Sequence, residues 1–467
     1  MHFQQFYLSC LAHASYLLGS EGLAAVVDPQ RDVEIYLEEA RRLGLKIAYV
    51  IETHLHADFV SGHHELAART GARIVLGAQA GAAFPFRAVR DGEEIRLGRC
   101  VLQFLETPGH TDESICVLVN DPDRSPAPWA ALTGDTLFIG EVGRPDLSPK
   151  HSAQELAGLL YDSLYHKLLK LPDAVEIYPA HGAGSLCGRN ISAERQSTIG
   201  KERALNYALR PMTREAFVTL ITADLPERPE YFGKDVELNR TGAPSLAERA
   251  KPPALAPHEV ARQQKEGAVV LDTRPAAQFG AGNIPGSLHI ALSGQYATWA
   301  GMLIGLEKPV ILVTEEESVE ESAMRLARVG VEKAVGYLGG GILAWQQAGL
   351  LLNNVPQISV LQLHEQLTEN PQSIQVIDVR RQPEWETGRL EHAILIPLHK
   401  LRNDLNGLDR TRPIAVHCRS GYRSSIATSI FKAAGFKDVM NVVGGFDAWK
   451  THNLPIVAGP GDSTCSN

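Results

Sequence analysis

No apolar run in this 467-residue chain is long enough to cross a bilayer, so no membrane partner is expected. The segment Met1 to Gly22 is apolar in patches but lacks a basic start and carries His2, Gln4, Gln5 and His13, which makes it a poor signal peptide. Cysteine is scarce. Six thiols, at positions 10, 100, 116, 187, 418 and 465, cannot form a dense disulfide framework over such a length, so reduced thiols and a cytoplasmic setting are expected. Also missing is any Lys/Arg cluster to offset the net charge of -9. That argues against a nucleic-acid partner and leaves small anions as partners of local arginines. What is present is an ordinary globular composition, 44% apolar and 21% charged, in a chain long enough for two to four domains.

The most informative stretch is Thr53-His54-Leu55-His56-Ala57-Asp58-Phe59, which follows the apolar run Lys46–Ile51. The run reads as a buried strand. If the chain stays extended beyond it, His54, His56 and Asp58 share one side and converge on a common point, most simply a metal. Three later positions add weight, each just beyond an apolar run and beside a glycine: His110 in Pro108-Gly109-His110-Thr111, Asp135 after Thr133-Gly134, and His181 in Pro179-Ala180-His181-Gly182. Strand ends followed by tight glycine turns gather side chains at one sheet edge.

The organisation is composite. Residues 1–240 hold short strands such as Gly22–Asp28, Ile74–Leu76, Cys100–Glu106 and Ser114–Val119, with amphipathic stretches Val33–Leu43 and Gly62–Thr70, a mixed α/β unit. Asn239 to Pro257, rich in Pro, Ala and charge, is the expected linker. An internal repeat follows: Val270–Arg274 answers to Val376–Arg380, and Gly340–Trp345 to Gly444–Trp449. The repeat predicts two similar α/β domains, at 254–350 and 356–458.

The motifs THLHAD, PGHT, TGDTLF and PAHG, in this order, resemble the metallo-β-lactamase superfamily over roughly the first half of the chain. The resemblance implies an αββα sandwich with a metal site at one edge. The superfamily's usual two-zinc hydrolases, such as glyoxalase II, carry a further histidine directly after the motif's aspartate; here Phe59 stands there and binds no metal. The resemblance then implies one ion held by His54, His110 and Asp135. Two imidazoles and a carboxylate with open positions suit Fe(II) and oxygen chemistry. This set is similar to the persulfide dioxygenase branch, whose members oxidise a thiol persulfide to sulfite. One Fe(II) per chain is implied, with zinc as the alternative. His56, Asp58 and His181 become groups that orient ligands or bound water, or else a retained second metal site. Gly140–Asp146 and the segment from Tyr231 to Arg240 are also similar to bacterial persulfide dioxygenases, and Arg144 is placed to hold a substrate carboxylate.

Near the far end, Pro413–His417 reads as a buried strand, Cys418-Arg419-Ser420-Gly421-Tyr422-Arg423 as a loop and Ser424–Ala434 as a helix. Unpaired N–H groups at a helix start stabilise an anion and favour the thiolate of a cysteine placed among them. Arg419 and Arg423 add positive charge, so Cys418 is expected to attack a sulfane sulfur and carry it as a persulfide. Phosphatase chemistry is the rival, but the common phosphatase loop puts five residues between Cys and Arg, and here there are four. With Asp378-Val379-Arg380, Glu384-Trp385 and Gly444–Trp449, the segment resembles a rhodanese domain, a sulfurtransferase with a central parallel sheet; Ser420, Gly421 and Tyr422 would then line the anion cradle.

The middle repeat carries Glu315-Glu316-Glu317 where that loop should be, so it is expected to be catalytically inactive. Cys187, close to His181, resembles a cysteine of three-domain dioxygenase–rhodanese fusions and is a candidate for handling sulfur. The expected protein is such a fusion, with a small-molecule persulfide, O2 and sulfite or thiosulfate as partners. Homo-oligomers, dimers or tetramers, are common among such proteins. The alternative is a zinc-dependent thioester hydrolase with accessory rhodanese domains.

Overall fold

The computed structural model describes every residue except Asp224, Pro226, Glu248 and those from 458 onward, which include Cys465. The chain forms two compact units, Met1–Arg249 with Ala327–Gly330, and Ala250–Leu326 with Val331 onward.

The first unit contains two six-stranded sheets. One runs His2–Leu8, His13–Ser20, Leu23–Val27, Lys46–Ile51, Arg73–Gly77, Arg87–Val89 in spatial order. The other runs Ser197–Thr198, Glu176–Pro179, Ala130–Gly134, Ile115–Asn120, Cys100–Glu106, Glu94–Leu97. Alternation along the strands sorts the apolar residues into layers. Tyr16, Leu18, Val27, Val117 and Val119 fill the space between the sheets. Their neighbours Leu17 and Val26 face the helix Glu34–Arg42 through Tyr36 and Ala40. Cys116 and Leu118 face the helix Ala153–His166 through Leu160 and Leu164. Both faces of each sheet are covered, giving helix, sheet, sheet, helix.

The second unit holds two five-stranded all-parallel sheets of identical order. Ala254–Leu255, Ala334–Leu338, Val310–Val313, Val269–Asp272 and Leu288–His289 make the first. Gln357–Ile358, Val439–Val442, Ile414–His417, Gln375–Asp378 and Ile394–Leu395 make the second.

The structure corrects three readings of local structure. Asn239 is no linker residue: it lies buried in the helix Phe232–Thr241. The strand before the histidine motif stops at Ile51, and residues 52–62 bend, because Asp28 captures the Thr53 amide at 2.7 Å and its hydroxyl at 2.9 Å. The helix after Cys418 begins at Tyr422, not Ser424, with Gly421 as its N-cap at φ 102°.

Candidate functional site

Because the loop bends, His54, His56 and Asp58 do not meet at one point. His54 joins His110 and Asp135, while His56 joins Asp58 and His181, each group buried with its ligand atoms within 4.8 Å of one another. The imidazoles of His54 and His56 lie side by side, centroids 4.1 Å apart, but serve different groups.

In the first group the hydrogen bonds fix the tautomers. His110 Nδ1 lies 3.0 Å from the Arg144 carbonyl, so Nδ1 donates and Nε2 keeps its lone pair. The Thr53 hydroxyl donates to Asp28, so it accepts from His54 Nδ1 at 3.0 Å and again leaves Nε2 bare. Both Nε2 atoms are buried without a hydrogen bond among the described residues, and they lie 3.8 Å (His54) and 3.4 Å (His110) from Asp135 Oδ2. Burial pushes both imidazoles below their usual range and keeps them neutral, as metal ligation requires. Burial alone would raise Asp135, yet the charged His181 beside it holds its carboxyl well below the usual range. Two lone pairs and a carboxylate oxygen facing one another, all three residues buried, fit a metal ion.

His181 bridges the two groups, with Nδ1 2.8 Å from Asp135 Oδ1 and Nε2 3.0 Å from Asp58 Oδ2. Burial opposes charge on it, but the two carboxylates raise it well above the ordinary histidine value. Phe59 fills the place of the missing ligand, its ring 4.4 Å from that of His56 and 4.1 Å from that of His13. Asn239 pins this loop: its amide donates to the carbonyls of His56 and Phe59, both at 2.8 Å, and its oxygen accepts from the Ser61 amide at 2.8 Å.

Residues that the motifs do not flag complete the surroundings. His13 is buried between His56 and His181, at 5.7 and 5.6 Å ring to ring. Behind His56 lie Asp28 and Glu52, 3.2 and 3.5 Å from Nε2. No spacing rule finds them; His13 reaches His181 through an isolated bridge between segments far apart in the chain. The Cys187 thiol is buried within reach of Asp135 and His181; burial, with Asp58 and Asp135, pushes it well above the usual thiol range. Arg144, expected to hold a substrate carboxylate, already has a carboxylate partner within the chain. Its guanidinium is buried and grips Asp146 through two bonds of 2.7 and 2.8 Å, and it donates to the Leu186 carbonyl at 3.2 Å.

In the second unit Cys418 is buried at the end of the strand Ile414–His417, and its sulfur accepts from the Gly421 amide at 3.1 Å. Gly444 and Gly445, at φ 76° and 53°, turn the chain so that the amides of Phe446 and Asp447 reach the carbonyls of Cys418 and Arg419 at 2.7 and 2.9 Å. A side chain at Gly445 would strike the Cys418 carbonyl, so only glycine serves. The expected excess of positive charge is tempered. Arg423 is held by Glu384 through bonds of 2.7 and 2.6 Å, and Arg419, on the surface, pairs with Asp447 at 3.0 Å. Ser420 is exposed, and the Tyr422 hydroxyl donates to the Ala291 carbonyl at 3.0 Å, so it is directed away from the cradle. At the equivalent turn of the middle repeat, Glu315, Glu316 and Glu317 are exposed.

These arrangements define the class: a metallo-beta-lactamase superfamily domain, matched over residues 8–181, followed by two rhodanese-like domains, matched over 256–348 and 359–452. The chain is 33% identical over 234 residues to the mitochondrial persulfide dioxygenase of Homo sapiens, covering 48% of this chain and 82% of that protein. It is 29% identical over 231 residues to a hydroxyacylglutathione hydrolase of Rhodopseudomonas palustris, covering 48% and 81%. A crystal structure described as a metallo-beta-lactamase from Staphylococcus aureus matches 72% of this chain and 98% of its own, at 29% identity and a TM-score of 0.65. The chain belongs to the persulfide dioxygenase family, in a form fused to two rhodanese-like domains.

Proposed function

We propose that this chain oxidises a low-molecular-weight thiol persulfide with O2 at a single Fe(II) site and transfers sulfane sulfur through Cys418. The domains are 1–240 for the dioxygenase, 254–350 for an inactive rhodanese domain and 356–458 for an active one. The observation that supports the iron reading is the pair of bare Nε2 lone pairs of His54 and His110 facing Asp135, beside a position where Phe59 replaces a further ligand. His54, His110 and Asp135 would hold the iron, which supplies the redox chemistry by which O2 oxidises the persulfide sulfur. The net reaction, RSSH + O2 + H2O giving RSH, sulfite and two protons, balances without a further reductant. His181 steadies the Asp135 carboxylate; Thr53 and the Arg144 carbonyl fix the ligand tautomers.

Cys418, as thiolate, attacks the outer sulfur of a second persulfide; the S–S bond breaks, RS⁻ leaves and a Cys418 persulfide remains. Sulfite then attacks that sulfur, thiosulfate departs and the Cys418 thiolate returns. Run in reverse, thiosulfate loads Cys418. The Gly421 amide held on the sulfur supports this role. The thiol carrier is glutathione, coenzyme A or another small thiol.

Protein purified without added metal is expected to contain iron and to consume oxygen with glutathione persulfide. Zinc with thioester hydrolysis and no oxygen uptake would replace this reading with the hydrolase one, which the retained His56, Asp58 and His181 group favours. Cys418→Ser is expected to keep oxygen uptake but release sulfite in place of thiosulfate. Unchanged thiosulfate output would remove the transferase step.

A further inference from the structure

We propose that the middle rhodanese-like domain, which lacks a nucleophile, is a positioning element for Cys418: it anchors the first two turns of the helix Tyr422–Ala433 and thereby the Gly421 amide that holds the sulfur. The proposal rests on the reading of Cys418 as the sulfur carrier.

The anchoring contacts are polar and placed on one face of that helix, those of Ser425 and Ser429 buried and that of Tyr422 partly buried. Tyr422, Ser425 and Ser429 are separated by three and four residues, the spacing that stacks side chains along a helix. The Tyr422 hydroxyl donates to the Ala291 carbonyl at 3.0 Å, and its ring lies against Gly294, where an added Cβ would come within 3.2 Å of the ring at φ +74°. His289 makes the other two contacts. Its backbone N–H donates to Ser429 Oγ at 3.0 Å, and its Nδ1 lies 2.9 Å from Ser425 Oγ. Because Nε2 faces the Arg274 carbonyl at 2.9 Å, it carries the proton, so Nδ1 accepts from the Ser425 hydroxyl. His289, Ser425 and Ser429 are each 1% exposed, so losing any partner strands a polar atom away from water.

On its other side the Cys418 loop is tied within its own domain, by the Phe446 and Asp447 amides on the carbonyls of Cys418 and Arg419. Gly421 stands between the two sets of ties, with no side chain to fix it and a left-handed backbone. On the helix side the Cys418 domain contributes the Arg423–Glu384 pair and the Ser424 hydroxyl on the Gly421 carbonyl, and the middle domain adds the ties to Tyr422, Ser425 and Ser429. That would account for a domain kept in full fold with three exposed carboxylates where its own loop should be.

The test uses the full-length protein with Ser425→Ala, Gly294→Ala and His289→Asn; asparagine keeps an acceptor near the Nδ1 position. Ser425→Ala and Gly294→Ala are expected to lower kcat for thiosulfate-dependent sulfur transfer about tenfold, or about 1.4 kcal/mol, with KM little changed. Iodoacetamide labelling of Cys418, followed on its own peptide by mass spectrometry, should slow by a similar factor. His289→Asn should stay within about threefold of the parent. Oxygen uptake should be unchanged in all three. A merely structural role would lower the melting temperature without moving the labelling rate of folded protein. Folded Ser425→Ala and Gly294→Ala that both label and turn over like the parent would overturn the proposal. If the parent itself loads no sulfur on Cys418, the transferase reading fails, while the labelling comparison still decides the positioning claim.

Discussion

Removing the Asn239 side chain should loosen the metal loop from a distance. Asn239→Ala deletes two donors and one acceptor at once: the carbonyls of His56 and Phe59 and the amide of Ser61 lose partners held at 2.8 Å. All four residues are buried, so water does not readily replace the lost bonds. Each stranded backbone group costs about 1 to 3 kcal/mol, and because the three belong to one network and relax together, about 3 kcal/mol in total is expected. For a unit of this size that corresponds to a fall of about 6 to 12 °C in melting temperature. Metal affinity should fall as well, by about 10- to 100-fold, since the loop carries His54 and its orientation is set from behind. Calorimetry of the full chain would measure the first quantity, and metal content after dialysis against a weak chelator the second. Asn239→Asp separates bonding from bulk: it keeps the acceptor for Ser61 but sets a carboxylate against two carbonyls, so it should be no better than alanine. Arg240→Ala, one residue on and paired near the surface with Glu237, should change stability by less than about 0.5 kcal/mol. A melting temperature within a degree or two of the parent for Asn239→Ala, with metal content unchanged, would refute the claim that this amide shapes the site.

Two further outcomes follow from other contacts. Burial alone would raise the Glu384 carboxyl, but Arg423 overrides it and holds it at about 2. A depressed carboxyl stabilises the fold above its unfolded value, roughly 4.3, and that contribution fades as pH falls toward the folded value. Urea unfolding of Glu384→Gln should therefore show a deficit of about 1 to 2 kcal/mol at neutral pH, solvent screening the partly exposed pair, that narrows steadily below about pH 4; a deficit independent of pH would contradict the pairing. Phe59→His returns an imidazole to the group formed by His56, Asp58 and His181, and zinc-supplemented protein should then bind more than one ion per chain by elemental analysis. A ratio that stays at the parent's value would show that the Phe59 ring is not what closes the second group.

The sequence made the chemistry-bearing residues legible because ligand types recur beside glycines at strand ends, a local signal. Cys418 sits near a helix start because short-range pattern fixes it, and His54, His110 and Asp135 meet because each local motif stands just beyond a strand end. Partners far along the chain left no trace: Asn239 lies some 180 residues from the loop it pins, and His13 about as far from His181. The same blindness misjudged charge. Arg144, Arg419 and Arg423 read as free cations, yet Asp146, Asp447 and Glu384 each claim one. Compensation changes what the Cys418 loop can recognise. With its arginines paired, the loop's direct contact to the sulfur is the Gly421 amide, a contact whose strength depends on geometry more than on salt. A site of that kind is sensitive to anything that moves its backbone. If the middle domain positions the Gly421 amide as proposed, its effect on Cys418 comes through the backbone and not through charge.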